Sequence, residues 1–387
     1  MTDLKWALED LPYLAADLPG IGGRIRQSPE DFVVEEIPAY RPEGVGEFLY
    51  LWIEKRGLSA EQLMSHVARL LRISLQDVGM AGLKDRHAVT RQYISVPFKC
   101  EPRLKDLEHP QFTVLEVGRH KNKLRPGHLR GNRFTIVVRD VVDDALGRAV
   151  AIAGRLRTSG MPNYFGEQRF GRDNETLVLG LDLLRGTKTP ADIPRVRRKF
   201  LLRLALSAVQ SALFNRSLSN RITSGQLFQV ELGDVMQVVA SGGPFVVEDI
   251  AREQPRFSAQ EIVIAGPMFG PKMKPSAGLV KEQEELLLKE AELSRDDFTK
   301  YPLLTSGTRR AFLVWPDDLT VNSVPGGGVE VAFGLPSGSY ATVLLREMMQ
   351  EISATATEPS MSLPPDAAAG ADEPSADSEA EVESPEG

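Results

Sequence analysis

Residues 32–138 constrain the fold most, because they alternate between two incompatible periods. Phe32-Val33-Val34-Glu35-Glu36 and Phe48-Leu49-Tyr50-Leu51-Trp52-Ile53 are β-branched and aromatic runs, separated by a Pro/Gly-rich turn at residues 38–46. Residues 59–72 then switch to helical spacing. Leu63, Val67, Leu70 and Leu71 fall on one face, and Ser59 is placed to cap the first turn. Tyr93-Ile94-Ser95-Val96, residues 112–117 and Phe134-Thr135-Ile136-Val137-Val138 return to strand. Strands and helices interleaved in this way predict an α+β core.

Further along, helical spacing dominates residues 143–221, including 201–220, and a strand-like, Gly/Pro-punctuated stretch follows to about residue 275. A charged helix is expected over 280–293 and a strand over 329–333. Pro336-Ser337-Gly338-Ser339 then turns the chain into a closing helix at 340–350, with Ser339 as its cap. A late strand and helix similar to the first half suggest one domain interrupted by an insertion. No internal repeat is found.

Residues 351–387 carry 10 acidic side chains and no Lys or Arg. They have almost no large apolar residues, so burial cannot offset their chain entropy and an unfolded tail is expected. The tail also hides the charge of the body. The whole chain has a net charge of −7, but without those residues 46 basic groups face 43 acidic ones, a net +3. The composition of the whole chain is ordinary for a soluble globular protein, at 42% hydrophobic and 26% charged residues. No apolar run approaches a membrane span and the first residues do not read as a signal peptide, so no membrane partner is expected. One cysteine, Cys100, excludes an internal disulfide and a thiolate zinc site, and fits the reducing cytoplasm.

Common catalytic motifs are absent. There is no Gly-x-x-x-x-Gly-Lys-Ser/Thr loop, no His-Glu-x-x-His and no Gly-x-Ser-x-Gly, and Gly20-Ile21-Gly22-Gly23 reads as a turn. The five histidines lack metal-ligand spacing. Basic stretches are the clearer signal. Residues 119–139 hold Arg119, Lys121, Lys123, Arg125, Arg130, Arg133 and Arg139 without an acidic residue, and residues 185–203 hold seven basic groups against Asp192. Such runs attract phosphate backbones, although a solvated face is their usual fate.

Residues 79–92 set one carboxylate, Asp85, among Lys84, Arg86, His87 and Arg91. Taken alone, this is a polar loop whose Asp makes a surface ion pair of little energetic value. The functional alternative is an ionised carboxylate in a pocket built for RNA. Burial disfavours the charge, so such a carboxylate needs a cationic partner. A non-catalytic RNA-binding protein would use the same basic stretches. A metal-dependent nuclease would need paired carboxylates such as Glu35-Glu36 or Asp143-Asp144, but neighbours on a strand point to opposite faces, so Glu35-Glu36 makes a poor metal pair.

Ala81-Gly82-Leu83-Lys84-Asp85-Arg86-His87-Ala88-Val89-Thr90 closely resembles the catalytic motif of the TruD family of tRNA pseudouridine synthases. Four further segments resemble that family in the same order: Pro29-Glu30-Asp31-Phe32-Val33-Val34-Glu35, Gly131-Asn132-Arg133-Phe134-Thr135, Pro162-Asn163-Tyr164-Phe165-Gly166-Glu167-Gln168-Arg169-Phe170-Gly171, and Leu335-Pro336-Ser337-Gly338-Ser339-Tyr340-Ala341-Thr342. The resemblance spans roughly residues 20–351, and five motifs in order are far more specific than any one.

The resemblance implies a pseudouridine synthase core, with a mainly antiparallel mixed sheet, interrupted by an α+β TRUD domain. The expected divisions are a first catalytic part at 1–157, the insertion at 158–309, a closing catalytic part at 310–350 and the tail at 351–387. It implies an isomerase that converts uridine to pseudouridine at position 13 of tRNA, with no metal, no cofactor and no protein partner required, acting as a cytoplasmic monomer. By motif match, Asp85 is the catalytic carboxylate and Phe134 stacks on the target base. Phe32, Asn132 and Tyr340 line the substrate pocket, and Arg26 sits where the family often has Lys. Arg keeps the charge and changes the geometry. The acidic tail has no counterpart in the family pattern. On periodicity alone, Phe134 is a core residue of its strand, Phe32 shares that ambiguity, and Tyr340 could be the first packing residue of the closing helix.

Overall fold

The computed structural model describes residues 11–350; the acidic tail and the first ten residues lie outside them. In chain order the elements begin with β1 (Gly22–Arg24), β2 (Phe32–Pro38), β3 (Phe48–Arg56), α1 (Ala60–Leu71), β4 (Gly79–Met80), β5 (Val89–Pro97), β6 (Phe112–His120) and β7 (Leu129–Val141). Then come α2 (Ala145–Ser159), β8 (Met161–Pro162), α3 (Glu175–Arg185), α4 (Arg198–Thr223), β9 (Val235–Val238), β10 (Pro244–Val246), α5 (Ile250–Ser258), β11 (Ile262–Met268) and α6 (Gly278–Glu290). The chain closes with β12 (Thr308–Ala311), β13 (Leu313–Val314), β14 (Asp317–Ser323), β15 (Val329–Pro336) and α7 (Ala341–Met349). This is the expected α+β architecture.

The chain forms two compact units. One contains residues 24–139 and 324–338, and the other contains residues 140–323 with the segments on either side at 11–23 and 339–350. In the first, the strands run β15-β7-β2-β5-β3-β6, with β4 beside β5. All these pairs are antiparallel except β2–β5. One face is covered by α1, whose Leu63, Val67 and Leu71 are wholly buried against Leu49, Leu51 and Ile53 of β3 and Ile94 and Val96 of β5. Full burial of each such side chain contributes about 1.5–3 kcal/mol. Ser59 caps α1 as its position predicts, accepting from the Gln62 amide at 3.2 Å while Gln62 Oε1 accepts from the Ser59 amide at 3.0 Å.

In the second unit β10-β9-β11-β12 form a sheet, and α4 packs on both α3 and β11. The helices expected over 201–220 and 280–293 are there as α4 and α6. The closing helix begins at Ala341, with Tyr340 in the capping position and no side-chain cap bond, so Ser339 is not its cap. Ser339 instead donates to Asn163 Oδ1 at 3.3 Å. Among the described residues, no helix is long and apolar enough to cross a membrane.

The segment 162–171 is built largely for packing. Asn163, Tyr164, Phe165 and Phe170 are buried. Asn215 on α4 clamps the Phe165 main chain from both sides, accepting from its amide at 2.8 Å and donating to its carbonyl at 2.9 Å. Arg169 donates to the hydroxyls of Ser207 and Ser211 on the same helix, an organising role.

Candidate active site

Alternation along β2 directs Phe32, Val34 and Glu36 to one face, where all three are buried, while Val33 and Glu35 point the other way. Cross-strand register extends that face. Phe32 lies opposite Ile136, Val34 opposite Phe134 and Glu36 opposite Asn132 on β7. On the far side of β7, Phe134 lies opposite Phe333 and Asn132 opposite Leu335 of β15. On the other flank, Val34 neighbours Thr90 of β5, which neighbours Lys55 of β3. The middle of this face is therefore polar, with Lys55, Thr90, Gln92 and Glu36 set between two apolar regions.

The Asp85 loop, between β4 and β5, is tied to that polar strip. Lys84 Nζ reaches Glu36 Oε2 at 3.1 Å, and both side chains are almost wholly buried. Burial pushes the Glu36 carboxyl above its usual range, opposed by the Lys84 charge and hydrogen bond and by the Tyr93 amide. Lys55 Nζ donates to the carbonyl oxygens of Leu58 at 2.8 Å, Asp85 at 2.8 Å and Lys84 at 3.4 Å. Gln92 Nε2 donates to the Gly82 carbonyl at 3.4 Å, and the Gly127 amide donates to the Ala81 carbonyl at 2.9 Å. The loop is held by its main chain, which leaves the Asp85 side chain accessible.

Asp85 Oδ2 accepts from Arg26 Nη2 at 2.9 Å, with the two side chains 35% and 20% exposed. The guanidinium also lies over the Phe32 ring, 4.4 Å from its centroid. Arg26 adopts the left-handed region, at φ 63°. A non-glycine residue there costs about 1–3 kcal/mol and persists only where its surroundings hold it. Here the ion pair and the ring contact do so, and the aromatic ring backs the cation that faces the carboxylate.

Arg26 thus touches both Asp85 and Phe32, and Asn132 and Phe134 share the sheet face of Phe32. Phe134 is 8% exposed and stacks on Phe333 with ring centroids 5.3 Å apart, so its ring packs on the neighbouring strand. Tyr340 belongs to the other unit, where its ring meets Phe165 edge-on at 6.1 Å. Four buried polar atoms on or beside the site have no hydrogen-bond partner: Arg26 Nε, Thr90 Oγ1, Gln92 Oε1 and Asn132 Oδ1. Unsatisfied groups of this kind are rare in folded proteins and mark places completed by water or ligand.

Sequence reasoning missed Lys55, Glu36 and Phe333. In the sequence Glu36 figures only as half of a poor metal pair and Lys55 not at all, and only their even spacing with buried neighbours along β2 and β3 hints at burial. It also overstated the run at 119–139. Arg139 pairs with Asp31, Lys121 with Glu43 at 3.3 Å, and Arg119 binds the Gly46 carbonyl beneath its contact with Phe98. Among the described residues, no group of three His, Cys, Asp or Glu is placed to hold a metal ion.

The family model described as tRNA pseudouridine synthase D (TruD) matches residues 10–192 and 194–348. A protein of Anaeromyxobacter dehalogenans named tRNA pseudouridine synthase D is 43% identical over 341 residues, covering 88% of this chain and 97% of its own. One of that name from Thermus thermophilus is 40% identical over 349 residues, covering 90% and 94%. The crystal structure titled as a tRNA pseudouridine synthase D from Methanosarcina mazei superposes with a TM-score of 0.71 at 26% identity, covering 88% of this chain and 96% of that one. On the match of model, relatives and fold, the chain belongs to the TruD family of tRNA pseudouridine synthases.

Proposed function

We propose that the protein isomerises uridine to pseudouridine in tRNA, at position 13, with Asp85 as the essential carboxylate and with neither metal nor cofactor. The observation that carries this reading is the accessible Asp85 carboxylate, fixed from below by its main chain and paired with Arg26 over Phe32. The reaction breaks the N1–C1′ bond, forms a C5–C1′ bond, and exchanges a proton at C5 for one at N1. Substrate and product are isomers, so no oxidant, reductant or group donor is required. An ionised carboxylate serves either as a nucleophile at C1′ or as a base at C2′.

The target base must leave its stack, which costs a few kcal/mol. In this reading Phe32, Phe134 and Tyr340 supply aromatic contact, and Asn132 holds an edge of the freed uracil through its unpartnered Oδ1. Residues 158–309 are the family's insertion within the catalytic core. The protein acts on tRNA as a cytoplasmic monomer that requires no protein partner.

The test is to map pseudouridine in tRNA from cells lacking the protein, then to restore wild type or Asp85→Asn. Loss of the modification at position 13, recovery with wild type and no recovery with Asp85→Asn are expected. Unchanged modification on deletion sinks the assignment. A purely RNA-binding protein would act alike with or without the Asp85 carboxylate, and a metal-dependent nuclease would stop in a chelator.

A further inference from the structure

Lys55 carries an ammonium group and yet has no accessible surface. Strand register seats it between Thr90 and Phe112, neither of which can neutralise it. An ammonium has three donors and no acceptor. All three here point to main-chain carbonyls: Leu58, where β3 gives way to α1, and Lys84 and Asp85 in the site loop. Burying a cation without a carboxylate in contact is costly, and an apolar side chain of similar volume would fill the space at less cost. Fold stability therefore does not account for a lysine at this position.

We propose that Lys55 is a positioning residue for the reaction, its buried ammonium holding the main chain of Lys84 and Asp85 and so fixing the Asp85 carboxylate against Arg26. The proposal rests on Asp85 being the reacting carboxylate. Reacting groups must be held within about 0.5 Å of their productive positions, by neighbours that are themselves locked. A carboxylate on a loop meets that demand only if the loop's own carbonyls are tied down. Those of residues 84 and 85 are tied to a strand in the middle of a sheet.

The same surroundings make the tie sensitive to pH. Desolvation pulls Lys55 down to about 8, opposed by the Asp85 charge, reinforced by Lys84 from the same loop, and opposed more weakly by Glu61 of α1. Lys84 is itself paired with Glu36, and Asp85 with Arg26. Above pH 8 Lys55 becomes a neutral amine with two donors, so one carbonyl loses its partner and the loop loosens.

The experiment measures single-turnover pseudouridine formation by the full-length protein on a tRNA transcript from pH 6 to about pH 9.5, with tRNA affinity measured alongside. Wild type should lose rate with a midpoint near pH 8 while its affinity stays level. Lys55→Met should lose about tenfold or more in rate with affinity within about twofold, and its residual rate should lack the alkaline fall. Lys55→Arg, charged throughout the range, should outperform Lys55→Met and also lack the fall. Full activity in Lys55→Met, an alkaline fall that persists in it, or a loss confined to affinity each overturns the proposal. Should the variants not fold, the Lys55 side chain is titrated in wild type by NMR. A midpoint matching that of activity supports the proposal, and one at the ordinary lysine value overturns it. An inactive wild type refutes the functional assignment itself, whereas an active wild type with indifferent Lys55 variants refutes only the role of Lys55.

Discussion

The Glu36 carboxylate and the Lys84 ammonium meet at 3.1 Å with 0% and 5% of their side chains exposed, one residue before Asp85. They join the central strand of the site face to the site loop. The interaction is local in space and distant in sequence, 48 residues apart. Its energetic meaning lies in what happens when one partner is removed.

Breaking a buried pair by deleting one charge leaves the other unpaired in a poor solvent, at a cost of about 3–5 kcal/mol. Lys84→Met and Glu36→Leu should each lower the unfolding free energy in denaturant titration by that order. The double variant should recover much of the loss, because a well-packed apolar pair is often as stable as the ionic one. A double variant as unstable as the sum of the singles contradicts this account.

Lys55 gives a stability prediction with a definite sign. Its folded value, about 8, lies below the ordinary value of 10.5, so between those two pH values the unfolded chain holds more protons than the native one. Unfolding free energy from this group therefore rises with pH across that window, by on the order of 3 kcal/mol. Measured as wild type minus Lys55→Met, the difference should become more favourable to wild type as pH increases. In the same interval its activity should fall, since the buried charge that serves the loop is costly to the fold.

Arg26 combines an ion pair, a ring contact and a left-handed backbone. Arg26→Met should reduce the rate by about ten- to a hundredfold with tRNA affinity changed by far less, because one local charge is lost among many phosphate contacts. Arg26→Gly should show the same rate loss while regaining part of about 1–3 kcal/mol of backbone strain. Steady-state kinetics and thermal unfolding on the two variants separate these effects.

Phe134 and Phe333 stack together, so truncating either opens a cavity costing about 3–5 kcal/mol. Their roles diverge only if Phe134 also carries the target base. In that case Phe134→Leu should lose a further about 1–3 kcal/mol of transition-state stabilisation that Phe333→Leu keeps. Equal kinetic losses in the two would leave Phe134 a core residue alone.

Much of the fold was legible because it follows from local periods. The helix at α1, its Ser59 cap and the strands containing Phe32, Phe48, Tyr93, Phe112 and Phe134 are all visible in residue spacing, since burial on one face imposes period 3.6 or 2. The opposed directions of Glu35 and Glu36 follow from the same rule. Asp85 could be singled out as the lone acid in a basic loop, and motif order placed it in a family. What spacing could not supply was partners. Lys121 and Arg139 appeared uncompensated because their partners Glu43 and Asp31 lie far away along the chain, and Ser339 appeared to be a cap because its bond to Asn163 spans 176 residues.

The sequence by itself determined the element types, the loop that carries Asp85 and the family, because each is written in contiguous residues. Tertiary structure alone decided which cation faces Asp85, that Lys55 and Glu36 are buried beneath it, and that Phe134 rests on Phe333. Those relations depend on strand register, which brings together residues up to about two hundred positions apart and sets the dielectric around each charge.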